Sequence, residues 1–221
     1  MMIYNVITPL NRVENIEKMI SILEPKNVNW HVVTDDTFPH NDEFKKYEKN
    51  WIHHYIMKNN KHMYFWERCN AAMNWLLDTM EINNGEMYCF LNDDDAVEPD
   101  YFKKITTNLN HIKKDKGIDF DIIITSMDRG DAIPTDAEAG RRHPPTRLTA
   151  SVDNLKIGSI GLEQITISGK LLNSKKYKFP LEHAGDGMFI LTAIRENTQS
   201  VVLMPDVSVW FNYFEPGRWI K

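Results

Sequence analysis

Met87-Tyr88-Cys89-Phe90-Leu91 is an unbroken apolar run that passes directly into Asn92-Asp93-Asp94-Asp95. A short strand with no polar alternation is covered on both faces, so this segment belongs inside a sheet flanked by helices. The acids after it then stand at the carboxyl end of the strand. The rest of the pattern agrees. Residues 2–8, 30–34, 51–57 and 120–125 also read as strands. Between them lie helical repeats: Val13, Ile16, Ile20 and Leu23 before Pro25, then Phe65, Cys69, Ala72, Met73, Leu76, Leu77 and Met80 before Asn83-Asn84-Gly85. A third set, Phe102, Ile105, Leu109 and Ile112, follows Pro99. Alternating strand and helix predicts an α/β fold with a mostly parallel central sheet.

Polar clusters follow three of these strands: Thr8 to Arg12, Asp35-Asp36, and Asp93 to Asp95. Open α/β sheets bind ligands at that edge. Past residue 126 the character changes. Residues 127–158, with Arg141-Arg142-His143-Pro144-Pro145, are long for a structureless connection and read as a mobile functional loop. A strand over 160–167, a helix over 187–196 and a strand pair or one bent strand over 200–213 complete the chain. No linker separates the halves 1–126 and 127–221, so one shared core is expected.

Composition excludes several functions. With 31 acidic and 26 basic residues, a net charge of −5 argues against a nucleic-acid binder. Only 10 glycines occur in 221 residues, and none forms a dinucleotide fingerprint or a P-loop. Any phosphate must be held by other means, and Arg141, Arg142, Arg147 and Arg218 are candidates. The start lacks the features of a signal peptide, and no run reaches the roughly 18 apolar residues of a membrane span. Cys69 and Cys89 read as reduced core thiols, which fits the cytoplasm.

Three adjacent carboxylates repel unless a cation neutralises them. Hard divalent cations prefer carboxylate oxygens and bridge them to phosphates. The bland reading is a solvated acidic turn that favours the next helix dipole. An EF-hand is excluded because the required glycine and terminal glutamate are absent.

Phe90-Leu91-Asn92-Asp93-Asp94-Asp95 with Pro99-Asp100 resembles the DxD region of GT-A glycosyltransferases, particularly the family 2 type. Val6-Ile7-Thr8-Pro9-Leu10-Asn11-Arg12 is similar to the opening strand of that family, Val33-Thr34-Asp35-Asp36-Thr37 to its second-strand acidic motif, and Glu67-Arg68-Cys69-Asn70-Ala71-Ala72 to its A-R-N-x-G helix. The resemblance implies a single Rossmann-like GT-A domain with a smaller acceptor-side sheet region. Asp94 and Asp95 would hold Mn²⁺ or Mg²⁺, while Asn92 stands where the first aspartate usually is and Asp93 compensates for it. Thr8, Pro9, Asn11, Arg12, Asp35, Asp36, Arg68, Asn70, Asn92 and Asp93 would line the nucleotide, and Arg218 would reach a donor phosphate. Asp186 resembles the catalytic base of inverting members, with Glu182 and His183 in reserve. The late histidine that many members give to the metal is missing, and Asn212 is its candidate replacement.

The implied activity is hexosyl transfer (EC 2.4) from a nucleotide-diphosphate sugar, UDP favoured, to a glycan or other hydroxyl acceptor. Ordinary roles stay open beside these: Thr8-Pro9 as a strand end, Asp35-Asp36 as a turn, Asp186 as a helix cap. A non-catalytic sugar- or nucleotide-binding module is one alternative. A phosphohydrolase or nucleotidyltransferase is another, disfavoured because the first strand carries no acid.

Overall fold

The computed structural model describes residues 2–23, 27–58, 65–129, 147–157, 159–182, 184–211 and 213–214. The first half is built as expected from alternating elements: β1 (Tyr4–Pro9), α1 (Ile16–Leu23), β2 (Val28–Asp35), α2 (Asn41–Phe44), β3 (Ile52–Met57), α3 (Phe65–Thr79) and β4 (Met87–Phe90). Then come β5 (Ala96–Val97), α4 (Tyr101–Lys116), β6 (Ile122–Asp128), β7 (Arg147–Leu148), β8 (Ile165–Ser168), α5 (Gly169–Lys175), α6 (Gly185–Glu196) and β9 (Val201–Trp210).

The strands form one sheet in the order β3-β2-β1-β4-β8-β6-β9-β5, with β7 paired to β6. β3, β2, β1, β4, β6 and β9 share one direction, whereas β8, β5 and β7 oppose it. The sheet is therefore mostly parallel, with β8 inserted against the grain between β4 and β6. Alternate residues of each strand feed opposite faces, because side chains in a strand have a period of two. Val6, Cys89 and Ile123 join the core beneath α1 and α4, while Ile7, Phe90, Ile122 and Ile124 join the core beneath α3 and α6. This double coverage is why β4 carries no polar residue.

Several expectations need adjustment. Residue 126, the expected division between the halves, lies inside β6. The segment 160–167 is strand only from Ile165. Before it, Leu162–Gln164 forms a 3-10 turn, because the Gln164 side chain folds back to accept from the Gly161 N–H at 2.9 Å and donates to the Thr125 carbonyl at 2.8 Å. α6 begins at Gly185, so Asp186 sits in its first turn rather than ahead of it. Residues 201–210 form a single strand, and the β6–β9 register shifts between Thr125 and Ser126. Both cysteines are free thiols. No helix among the described residues is long and apolar enough to cross a membrane.

Candidate functional site

The carboxyl ends of β1 and β2 and the first turns of α3 line one cleft, and the loop after β4 joins it through Arg12. Its lining includes Pro9, Asn11, Arg12, Asp35, Arg68 and Cys69, around a volume of about 470 Å³. A second cavity of about 480 Å³, lined by Tyr4, Pro99, Trp210 and Tyr213, holds none of the expected site residues.

Asp93 is the keystone between β1 and β4. It is 1% exposed. Its Oδ2 accepts the backbone N–H of Asn11 at 2.5 Å and that of Arg12 at 2.6 Å, and its Oδ1 accepts Arg12 Nη1 at 2.6 Å. Burial lifts its pKa above the ordinary value, and the Asn11 amide and the Arg12 charge pull against that lift. Arg12 also reaches Asp94 Oδ2 through Nη2 at 3.2 Å. A cation is thus poised over the acidic loop by two carboxylates.

On β2, Asp35 is buried and accepts from the Thr37 N–H at 2.9 Å and the Thr37 hydroxyl at 2.5 Å. Its other oxygen faces Arg68 at 3.5 Å, which brings α3 to the cleft. Burial pushes the neighbouring Cys69 thiol up to about 11, so it is no nucleophile at neutral pH.

Other expected residues sit elsewhere. Thr8 is fully buried, and its hydroxyl accepts the Trp30 indole N–H at 2.9 Å. Asp36 is exposed on the turn after β2. Asn70 is buried and donates to the Pro180 carbonyl at 2.9 Å, so it shapes the approach to α6. Arg147 bridges Asp128 at 3.4 Å and the Pro205 carbonyl at 2.9 Å. Arg141, Arg142, His183, Asn212 and Arg218 lie outside the described residues, as does most of the expected loop.

Sequence reasoning passed over Glu163. It lies in the turn before β8 and is 5% exposed. Its Oε1 accepts Asn92 Nδ2, and Asp95, itself fully buried, lies beside the same carboxyl. Burial pushes Glu163 up to about 7, and the charges of Asp186 and Asp94 add to the rise. Glu163 therefore sits where the acidic loop and the start of α6 approach each other. The signal was a lone acid in an otherwise uncharged run, Ile160-Gly161-Leu162-Glu163-Gln164-Ile165, where a buried charge needs a partner.

Aromatic packing fixes that approach. Phe90, two residues before Asn92, meets Phe179 at 5.2 Å and Phe189 at 5.8 Å, and Phe179 stacks on Phe189 at 3.9 Å. Gly185 lies under the Pro180 carbonyl, where a Cβ would come within 2.0 Å of the oxygen. An acid or threonine could not stand before Asp186 without moving that backbone.

The donor chemistry suits a cation only in part. Among the described residues, no three His, Cys, Asp or Glu side chains are grouped as a metal cage. Asp93 is committed to Asn11 and Arg12. Asp94 and Asp95 fit a hard cation that keeps one or two protein carboxylates and takes its other ligands from phosphate.

No protein-family model matches the chain, and no curated protein sequence matches it. Solved structures do. Staphylococcus aureus TarS aligns over 95% of this chain at 17% identity with a TM-score of 0.65. TarS 1–349 in complex with UDP-GlcNAc aligns over 95% at 17% identity with a TM-score of 0.61, and its complex with UDP over 95% at 17% with 0.58. This chain spans 36% of the TarS chain and 58% of TarS 1–349 in the UDP-GlcNAc complex. Together with the sheet order and its flanking helices, the likeness establishes a GT-A-like fold for this chain.

Proposed function

We propose that the protein is a family 2-like glycosyltransferase, which moves a sugar from a nucleotide-diphosphate donor, UDP favoured, to a hydroxyl on a glycan or other acceptor. The observation that carries this reading is the convergence of Arg12, Asp35 and Arg68 on one cleft at the carboxyl ends of parallel strands, with the acidic loop beside it. TarS, of like fold, binds UDP-GlcNAc and UDP.

Arg12 and Arg68 supply the positive charge that a glycine-poor chain needs for phosphate. Asp35, held by Thr37 and Arg68, meets the nucleoside end. Asp186, in the first turn of α6, takes the proton of the acceptor hydroxyl as its oxygen attacks the anomeric carbon, which inverts the configuration. Mn²⁺ or Mg²⁺ would be held by Asp94 and Asp95 together with donor phosphates. When bound there, it would supply Lewis-acid neutralisation of the departing diphosphate.

Calorimetric titration with UDP and UDP-sugars, with and without Mn²⁺, tests the reading. Binding that strengthens with Mn²⁺, and loses that increment in Asp94→Ala, supports it. Failure to bind any nucleotide sugar under either condition overturns it.

A further inference from the structure

We infer that Asn92 and Glu163 are a matched amide–carboxyl pair that holds the acidic loop in its donor-binding shape, with Glu163 as a positioning residue. The inference rests on the proposed donor-binding role of that loop. It also explains why an amide stands where the resembling motif has an aspartate.

Glu163 is rigidly presented. Its turn is closed by the Gly161 N–H on Gln164 Oε1 at 2.9 Å and by the Gln164 N–H on the Gly161 carbonyl at 3.1 Å. Gln164 then ties the turn to β6 through the Thr125 carbonyl at 2.8 Å. A Cβ on Gly161 would come within 2.6 Å of Glu163 Oε2 and 2.5 Å of Met127 Cε, so even the space beside the carboxyl is closed. A buried carboxyl in such a setting needs hydrogen-bond donors.

The acidic loop supplies the contacts. Asn92 Nδ2 donates to Glu163 Oε1, and Asp95 lies beside the same carboxyl. Glu163 therefore holds the loop at Asn92, just ahead of Asp93 and Asp94, while Arg12 grips those two from the β1 side. An aspartate at 92 would set an acceptor against Glu163 Oε1 in place of the Nδ2 donor, and that hydrogen bond would be lost. Only a donor serves at 92, and asparagine is the donor that keeps the size of aspartate. Glu163 is too buried to meet the donor itself, so its influence passes through the loop.

A double-mutant cycle with N92D, E163Q and N92D/E163Q tests this, read as UDP affinity and as urea unfolding. Affinity is measured at a temperature where all four proteins are folded, so that lost packing alone does not move it. N92D is expected to weaken UDP binding tenfold or more. The double variant is expected to recover at least half of that loss on a logarithmic scale, because the amide introduced at position 163 donates to the carboxylate introduced at position 92. If N92D does not fold, restored folding in the double variant supports the pair and continued failure overturns it. Strictly additive effects in both readouts overturn the pair. Absence of UDP binding by the wild type counts against the proposed donor, and the unfolding cycle then decides the pair by itself.

Discussion

Arg12 holds Asp93 twice: its guanidinium closes on Oδ1 at 2.6 Å while its own backbone N–H reaches Oδ2 at 2.6 Å. With the Asn11 N–H on the same Oδ2, one buried carboxylate fixes the loop after β1 onto the loop after β4. Asp93→Ala strands two backbone donors, so unfolding by urea should show a loss of about 2–4 kcal/mol. Asp94 pairs with the half-exposed side of Arg12, and Asp94→Ala should cost under about 1 kcal/mol. Equal unfolding midpoints for the two variants would contradict this division of roles.

Asp186→Asn keeps the size of the side chain at the start of α6 and removes its basicity. Donor turnover should fall by about 10²–10⁴-fold, with UDP affinity and melting temperature unchanged. A variant that turns over donor at the wild-type rate would remove Asp186 from the chemistry.

Gly185→Ala forces the Pro180 carbonyl to move, since its new Cβ would lie 2.0 Å from that oxygen and 2.7 Å from Asn70 Nδ2. The expected cost is about 1–3 kcal/mol, together with reduced turnover, because Asp186 is the next residue. Asn70→Ala releases the same carbonyl without a clash and should cost about 1 kcal/mol. Thermal melts and turnover measured side by side check both.

His31 gives the fold a pH dependence remote from the cleft. Its Nε2–H donates to Asn5 Oδ1 at 2.9 Å, and its Nδ1 accepts from the Tyr55 hydroxyl at 3.3 Å, so both nitrogens are satisfied in the neutral ring. Burial, and secondarily the stacked His53, pull its pKa down to about 4. Between about pH 4 and 6.5 the unfolded chain binds the proton and the native chain does not, so stability rises with pH and levels off above that window. The full effect is on the order of 3 kcal/mol. Urea midpoints from pH 4.5 to 8 should show the slope, and His31→Gln should flatten it.

The sequence carried the fold further than the site. β4 announced a doubly covered sheet because nothing polar interrupts it, and the helical repeats around it had only one face to bury. β8 was harder to delimit, since the turn before it is held by the Gln164 side chain bonding to Gly161 and Thr125, and no local pattern encodes that bond. Within the site, short motifs drew Arg12, Asp35, Arg68 and the acidic loop to one edge. They did not distinguish Thr8 and Asn70, whose polar atoms are spent on Trp30 and Pro180. Glu163 stayed hidden because its partners, Asn92 and Asp95, are about 70 residues away in sequence.

The antiparallel β8 also sets a timetable for synthesis. β4 is complete at residue 90, yet the strand that covers its free edge begins at residue 165. At translation rates of roughly 5–20 residues per second, that edge waits several seconds on the ribosome for its neighbour. An exposed apolar edge of this kind invites pairing with another nascent chain. Slower initiation or a lower growth temperature should therefore raise the soluble yield, whereas a fragment ending near residue 126 would carry the open edge permanently.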